Sequence, residues 1–213
     1  TTSLIGTGKE LWWDELERIF LVTKDVPPTL QFTTGRNEHE FNTSTTEERR
    51  ATYNALHGII KYQHYETRDR LLADFRKWAG IDEAGRTTHR LMNWEEVKTL
   101  SLSKSAVIGA HTLHHSPLSI FNYQTQLEEI SKSKEILEAA IAKPVNYFSY
   151  PFGIKRDYNA DTLAICRKLN FSLSFSNFPG YVHKHVDHFQ IPRILVRDWS
   201  ADELKINLTK FQG

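Results

Sequence analysis

From residue 91 onward the chain alternates short apolar runs with helix-period segments, and this alternation limits its fold more than any other feature. "NWEEVKTLS" reads as a short helix with Asn93 as N-cap and Glu96 at the capping-box position. "SAVIGAH" is a buried-strand candidate, and "YQTQLEEISKSKEILEAAIAK" sets Leu127, Ile130, Leu137 and Ile141 on one helical face. "VNYFSYPFG" predicts a strand ending in a turn, "NADTLAICRKLN" a helix capped by Asn159, and "FSLSFS" another strand. "QIPRILV" predicts one more strand, and "SADELKINLTKF" a last helix with the box Ser200-x-x-Glu203. Strands alternating with helices imply parallel βα units and an α/β fold class. In such folds active residues gather at the carboxyl ends of strands. The two unusual motifs, "HTLHH" at 111–115 and "YPFG" at 150–153, both fall at strand ends.

The earlier part of the chain has a different texture. "GKELWWDELERIFLV" carries Leu11, Trp12, Leu16, Ile19 and Phe20 at helical spacing. "TLQFTTGRNEHEFN" predicts a β-hairpin turning at Gly35 and Arg36. "STTEERRATYNALHGIIKY" opens with the capping box Ser44-x-x-Glu47, and "ETRDRLLADFRKWAG" predicts a helix stopping at Gly80. Residues from about 23 to 90 therefore read as a helical excursion bearing a hairpin, set within one domain over 1–213.

With 39% hydrophobic and 25% charged residues, the 213-residue chain is globular, with ample length for a core. A formal net charge of +1 without basic blocks argues against nucleic acid or a membrane surface as partner. No apolar run has the length to span a bilayer. The single cysteine, Cys166, excludes an internal disulfide and a cysteine-based zinc site, and its helical setting predicts a small packed residue. The opening "TTSLIGTGKELWW" has no initiator Met and no signal-peptide regions, as expected of a mature, trimmed or fragmentary chain.

"VIGAHTLHHSPLS" places three histidines within five positions. Neutral imidazole is a common zinc ligand. In a turn of helix His111 and His115 share one face, so both nitrogens reach one ion at roughly 2.0–2.1 Å. A catalytic zinc usually takes three protein ligands and an open position, so the pair leaves room for a carboxylate or another histidine. His114, between them, is expected to support a ligand or face solvent. The competing reading is that all three are loop residues satisfied by backbone or water. Thr112 occupies the place of the glutamate in H-E-x-x-H, which excludes that metalloprotease arrangement.

"HTLHH" followed by "FSYPFG" resembles the polysaccharide deacetylases, the NodB-homology carbohydrate esterases, over roughly residues 91 to 200. The opening "TTSLIGTGKELWWDELER" resembles a bacterial subgroup associated with surface-polysaccharide genes. The resemblance implies a distorted (β/α) barrel that removes N-acetyl or O-acetyl groups from a glycan with a divalent metal, usually zinc. The family's H-[ST]-x-x-H motif maps onto His111, Thr112 and His115, implying two metal ligands and a threonine hydroxyl that steadies their loop. Tyr150, Pro151 and Phe152 would line the sugar site, with the Phe152 main-chain N–H as oxyanion donor. "RDW" resembles the family's aspartate–tryptophan pair, giving Trp199 a place at the groove and Asp198 a supporting one.

Three departures carry further expectations. The family's strand ending in paired aspartates supplies the catalytic base and third ligand, and no Asp-Asp pair occurs here. The chain is therefore expected to lack the first strand and helix, leaving an incomplete site and a sheet edge open to self-association. Many members have Arg two residues before the motif proline, where this chain has Ser149; Arg193 in "IPRILV" is the substitute expected to orient the base. No residue matches the family's general-acid histidine, although His183, His185 and His188 fall in that region. The alternative function is a degenerate, non-catalytic module on the same fold that binds glycan or assists assembly.

Overall fold

The computed structural model describes residues 1–209. The chain divides into two compact units, residues 4–94 and residues 1–3 together with 95 onward.

In the first unit, α1 (Trp12–Glu17) continues into one π-helical turn, Arg18–Val22. It buries Trp12, Leu16, Ile19 and Phe20, the residues at helical spacing. Strands β1 (Thr29–Thr34) and β2 (Asn37–Asn42) pair antiparallel around Gly35, which takes the left-handed conformation (φ +60°) that glycine tolerates. Helices α2 (Thr46–Lys61) and α3 (Tyr65–Ala79) complete the unit, burying Leu56, Ile60, Leu71, Leu72 and Phe75. Phe75 meets Phe32 of the hairpin edge-on, with ring centroids 5.0 Å apart. Gly80 ends α3 in the left-handed conformation, as its sequence predicts.

The capping box of α2 is Thr45 with Glu48, one residue later than expected. "STTEE" spells the motif in two registers, and backbone anchoring selects between them. Thr43 donates its N–H to the Pro28 carbonyl (2.8 Å) and its hydroxyl to the Pro27 carbonyl (2.6 Å). The Ser44 hydroxyl also turns to Pro28 (3.4 Å), leaving Thr45 to accept the Glu48 N–H (3.1 Å).

The second unit contains α4 (Trp94–Leu102), α5 (Tyr123–Ile141), β3 (Tyr147–Ser149), α6 (Ala160–Lys168), β4 (Leu173–Phe175) and α7 (Ala201–Thr209). β3 and β4 pair in parallel, as the βα alternation requires. Ala110 bridges Phe148 on one side and Ile191 bridges Phe175 on the other, both in parallel. The lateral order is therefore Ala110, β3, β4, Ile191. The strands expected at 105–111 and 190–196 contract to these single bridges. For the latter the cause is Pro192, which has no N–H to continue a ladder, while the next N–H, of Arg193, turns to the Phe178 carbonyl. Gly109 lets the backbone run close to β3: a Cβ there would lie 3.2 Å from the Tyr147 carbonyl oxygen.

Phe148, Ile130 and Ile165 are fully buried beneath this sheet. Cys166 is buried on α6, and burial pushes its thiol up to about 11. Asn159 caps α6 and Ser200 caps α7 through its box with Glu203. The buried stripe of α5 differs from the expected one: it comprises Gln126, Glu129, Ile130, Ser133 and Leu137, with Leu127 and Ile141 only half-buried. The two larger polar members are bonded: Gln126 donates to the Phe121 carbonyl (3.0 Å) and accepts from the Thr162 hydroxyl, and Glu129 accepts from His114. Among the described residues no helix is long and apolar enough to cross a membrane.

In the first unit one buried charge holds distant segments together. Glu10, 4% exposed, accepts the Arg86 main-chain N–H and the Arg86 guanidinium (2.9 Å), with Arg18 at 3.6 Å. Burial pushes this carboxyl up, but the Arg86 bonds and both cations outweigh it and hold it below the ordinary glutamate value. Its contribution is therefore present above the ordinary glutamate range and lost as pH falls through the lowered value. Glu10→Ala is expected to lower unfolding stability by on the order of 2–3 kcal/mol, since charged hydrogen bonds are removed from a partly buried arginine. Urea titrations at neutral and acidic pH check this: the difference between the two proteins should shrink as pH falls.

Candidate functional site

Because the ladder is parallel, the first residues beyond it lie along one edge: His111, Tyr150, Ser176 and Pro192. Ala110 donates to the Tyr147 carbonyl (2.8 Å) and its own carbonyl accepts from the Ser149 N–H (3.0 Å), so the two motif-bearing segments are locked in register. One residue later, His111 Nδ1 lies 2.7 Å from the Ser149 carbonyl oxygen. A carbonyl only accepts, so Nδ1 carries the proton and Nε2 keeps its lone pair. Loss of hydration pushes this imidazole down to about 4; the Thr1 ammonium and, more weakly, Arg193 add to the fall against the opposing bond to Ser149. His111 is thus neutral near pH 7. The His115 ring stands edge-on to it, centroids 4.6 Å apart at 78°, and Phe152 stands edge-on to His115 at 4.8 Å and 83°. The motifs "HTLHH" and "YPFG" therefore meet in one group of rings.

The histidines do not meet through a helical turn, as i, i+4 stacking had suggested. Thr112 (φ +60°) and His115 (φ +54°) are left-handed, and the loop doubles back on itself. This conformation is rare for any non-glycine residue and rarest for a β-branched one. Several bonds hold it. The fully buried Thr112 accepts the His115 N–H on its hydroxyl (3.1 Å), and its carbonyl accepts the Thr2 N–H (3.2 Å). The Leu113 carbonyl accepts from the Ser3 hydroxyl (2.7 Å) and N–H (3.2 Å). The Thr112 hydroxyl thus bonds within the loop that carries both histidines.

His114 is half-buried and turned to α5. Its ring Nδ1–H donates to Glu129 Oε1 (2.5 Å) and its main-chain N–H to Glu129 Oε2 (3.1 Å). Glu129, on α5 and 3% exposed, had no role in the sequence reading. The only signal was its position beside Ile130 and one turn from Gln126 and Ser133.

In the second motif, Tyr150 is 1% exposed. It stacks on Tyr158 (4.2 Å, 13°) and donates its hydroxyl to the Phe189 carbonyl (2.7 Å); burial raises its pKa. A ring so enclosed supports the motif from below and has no face for a sugar, which corrects its expected role. Pro151 is likewise buried, whereas Phe152 is half-buried and left-handed (φ +57°). Gly153 (φ +71°) accepts the Asn177 N–H (2.7 Å), and a Cβ at 153 would lie 2.9 Å from that nitrogen, so only glycine fits. Arg193 Nε donates to the Ser176 carbonyl (2.6 Å), placing its charge where it acts on His111. Asp198 is exposed and Trp199 half-buried on the irregular stretch before α7, and the structure gives neither a contact with His111. His183, His185 and His188 are exposed.

Among the described residues no three His, Cys, Asp or Glu side chains gather as a metal site. His111 and His115 nevertheless fit as two members of such a set. A neutral imidazole with one nitrogen tied to a backbone carbonyl is the state in which histidine ligates metals.

Comparisons with known proteins bear on the family and the fold. The profile of the polysaccharide deacetylase family matches residues 28–174. Among solved structures the chain is similar to the Streptococcus pyogenes deacetylase PplD in complex with acetate: 22% identity, 55% of this chain and 50% of that chain covered, TM-score 0.50. That likeness is one of fold. The chain is also similar to IcaB from Ammonifex degensii, with 22% identity, 58% and 55% coverage and a TM-score of 0.45. BC0361, a polysaccharide deacetylase from Bacillus cereus, matches with 26% identity, 49% and 32% coverage and a TM-score of 0.43. The chain spans about half the length of PplD. No curated protein matches it.

The bond inside the histidine loop predicts a split between two conservative variants. Thr112→Val keeps the shape but leaves the His115 N–H without its acceptor, at a cost of about 1–3 kcal/mol. Thr112→Ser keeps the hydroxyl and is expected to lose less, as read from the melting temperatures of the two variants.

Proposed function

This chain belongs to the polysaccharide deacetylase family, and we propose that it acts as a metal-dependent hydrolase removing N-acetyl, or O-acetyl, groups from an acetylated polysaccharide or oligosaccharide. Its fold is of the family's α/β type. The excursion at about 23–90 is read as an insertion in a single deacetylase domain, since the family match runs through it.

The observation that carries this reading is the His111 imidazole, tied through Nδ1–H to the Ser149 carbonyl and edge-on to the His115 ring 4.6 Å away. The two imidazoles would hold a divalent cation, zinc in the first instance, which supplies Lewis acidity and an acidified water. The remaining roles belong to the chain itself. The Phe152 main-chain N–H, at a left-handed turn, is the donor for the developing oxyanion. Arg193, held by Ser176, sets a positive charge that acts on His111, the place from which it would orient a carboxylate base; the Asp-Asp pair that supplies that base in the family does not occur in this sequence. The half-buried rings of Phe152 and Trp199 border the sugar, and Pro151 shapes the turn from beneath.

Acetate release from N-acetylated oligosaccharides tests the proposal, measured with added zinc and after chelation. Activity is expected only with metal. His111→Ala should lower kcat/KM by on the order of 10²-fold or more, the several kcal/mol of charge stabilisation lost with the cation. Zinc bound through His111 and His115 without any acetate release, from N- or O-acetylated glycans, would replace the enzyme reading with a glycan-binding module.

A further inference from the structure

We propose that Glu129 is a positioning residue for the histidine pair, acting through His114; the inference rests on the metal-binding reading above. A carboxylate removed from water loses hydration worth several kcal/mol and persists only where bonds replace it. Glu129 sits on α5 with 3% exposure, and both its oxygens are taken by one residue, His114, through the ring Nδ1–H (2.5 Å) and the main-chain N–H (3.1 Å).

His114 occupies the middle of the doubled-back loop, between the left-handed Thr112 and the left-handed His115. A grip on its main-chain N–H fixes the peptide unit on which the turn pivots. The helix that supplies the grip is itself secured. One turn earlier Gln126 is tied to Phe121 and to Thr162 of α6, and the adjacent Ile130 is fully buried. Besides the N-terminal residues Thr2 and Ser3, the loop is held by the Thr112 hydroxyl from within, by the Ser149 carbonyl at His111, and by Glu129 from the helix. Glu129 is the side chain that grips the loop at its middle residue, His114, without bonding to His111 or His115.

The choice of a carboxylate follows from the donors it meets. Two N–H groups point at one side chain, and a carboxylate offers two acceptors and no donor. Glutamine has the same shape but presents its NH₂ to one of the two donors, so Glu129→Gln keeps one bond and strains the other. Alanine keeps neither.

Amide hydrogen exchange in the metal-free protein tests the grip without reference to catalysis, and zinc titration tests what the grip serves. In Glu129→Ala, exchange at the His114 and His115 amides should rise about tenfold or more, with the rest of α5 unchanged. Zinc affinity should fall about 10–100-fold, as for other groups that orient a ligating histidine. Glu129→Gln should fall between the two and serves in place of alanine if that variant does not fold. Unchanged exchange at 114 and 115, or a rise spread evenly over α5, would overturn the proposal. Zinc bound as tightly by Glu129→Ala as by the unaltered protein, yet lost in His111→Ala, would also overturn it while leaving the metal reading intact. An unaltered protein that binds no zinc would remove the metal reading and, with it, the purpose assigned to Glu129.

Discussion

The chemistry of this chain depends on a short parallel ladder. Ala110, β3, β4 and Ile191 lie side by side, and none contributes more than three paired residues. Parallel pairing makes all four segments end at one edge, so residues 80 positions apart in sequence become neighbours without any long-range side-chain contact having to bring them there. The His111 bond to the Ser149 carbonyl is the first interaction past that edge. An antiparallel arrangement of the same segments would divide the motifs between opposite ends of the sheet.

Beyond the edge the backbone is under strain, and the strain is local. Thr112, His115 and Phe152 all adopt a conformation that costs about 1–3 kcal/mol for residues with a side chain. Each strained position adjoins a polar anchor: the Thr112 hydroxyl, the Glu129 carboxylate, or the Asn177 N–H on the Gly153 carbonyl. A wholly apolar interior could be as stable but would leave the loop free to choose among turns. Directional bonds select one turn because each donor has few places to go.

Much of this was legible in the sequence. Gly35, Gly80, Asn159 and Ser200 mark turns and caps that the structure keeps, because their chemistry is local and answers to the nearest few residues. The meeting of "HTLHH" with "YPFG" was legible through topology: both were placed at strand ends of parallel units. What escaped was settled by partners far away. Thr45 took the cap from Ser44 because Pro27 and Pro28 engage the residues before it. Tyr150 lies in the core because Phe189 accepts its hydroxyl and Tyr158 covers its ring. Glu129, in a helix rich in charge, reads as solvent-facing until a loop 15 residues upstream supplies two donors.

The carbonyl that orients His111 belongs to the backbone of residue 149, where this chain has serine. Any amino acid at that position offers the same oxygen. The aim of the histidine is thereby decoupled from the side chain at 149, which is free to drift or be engineered without unseating the ligand. The orientation of the ring is written in the path of the main chain, and it passes unchanged through any substitution that leaves that path in place.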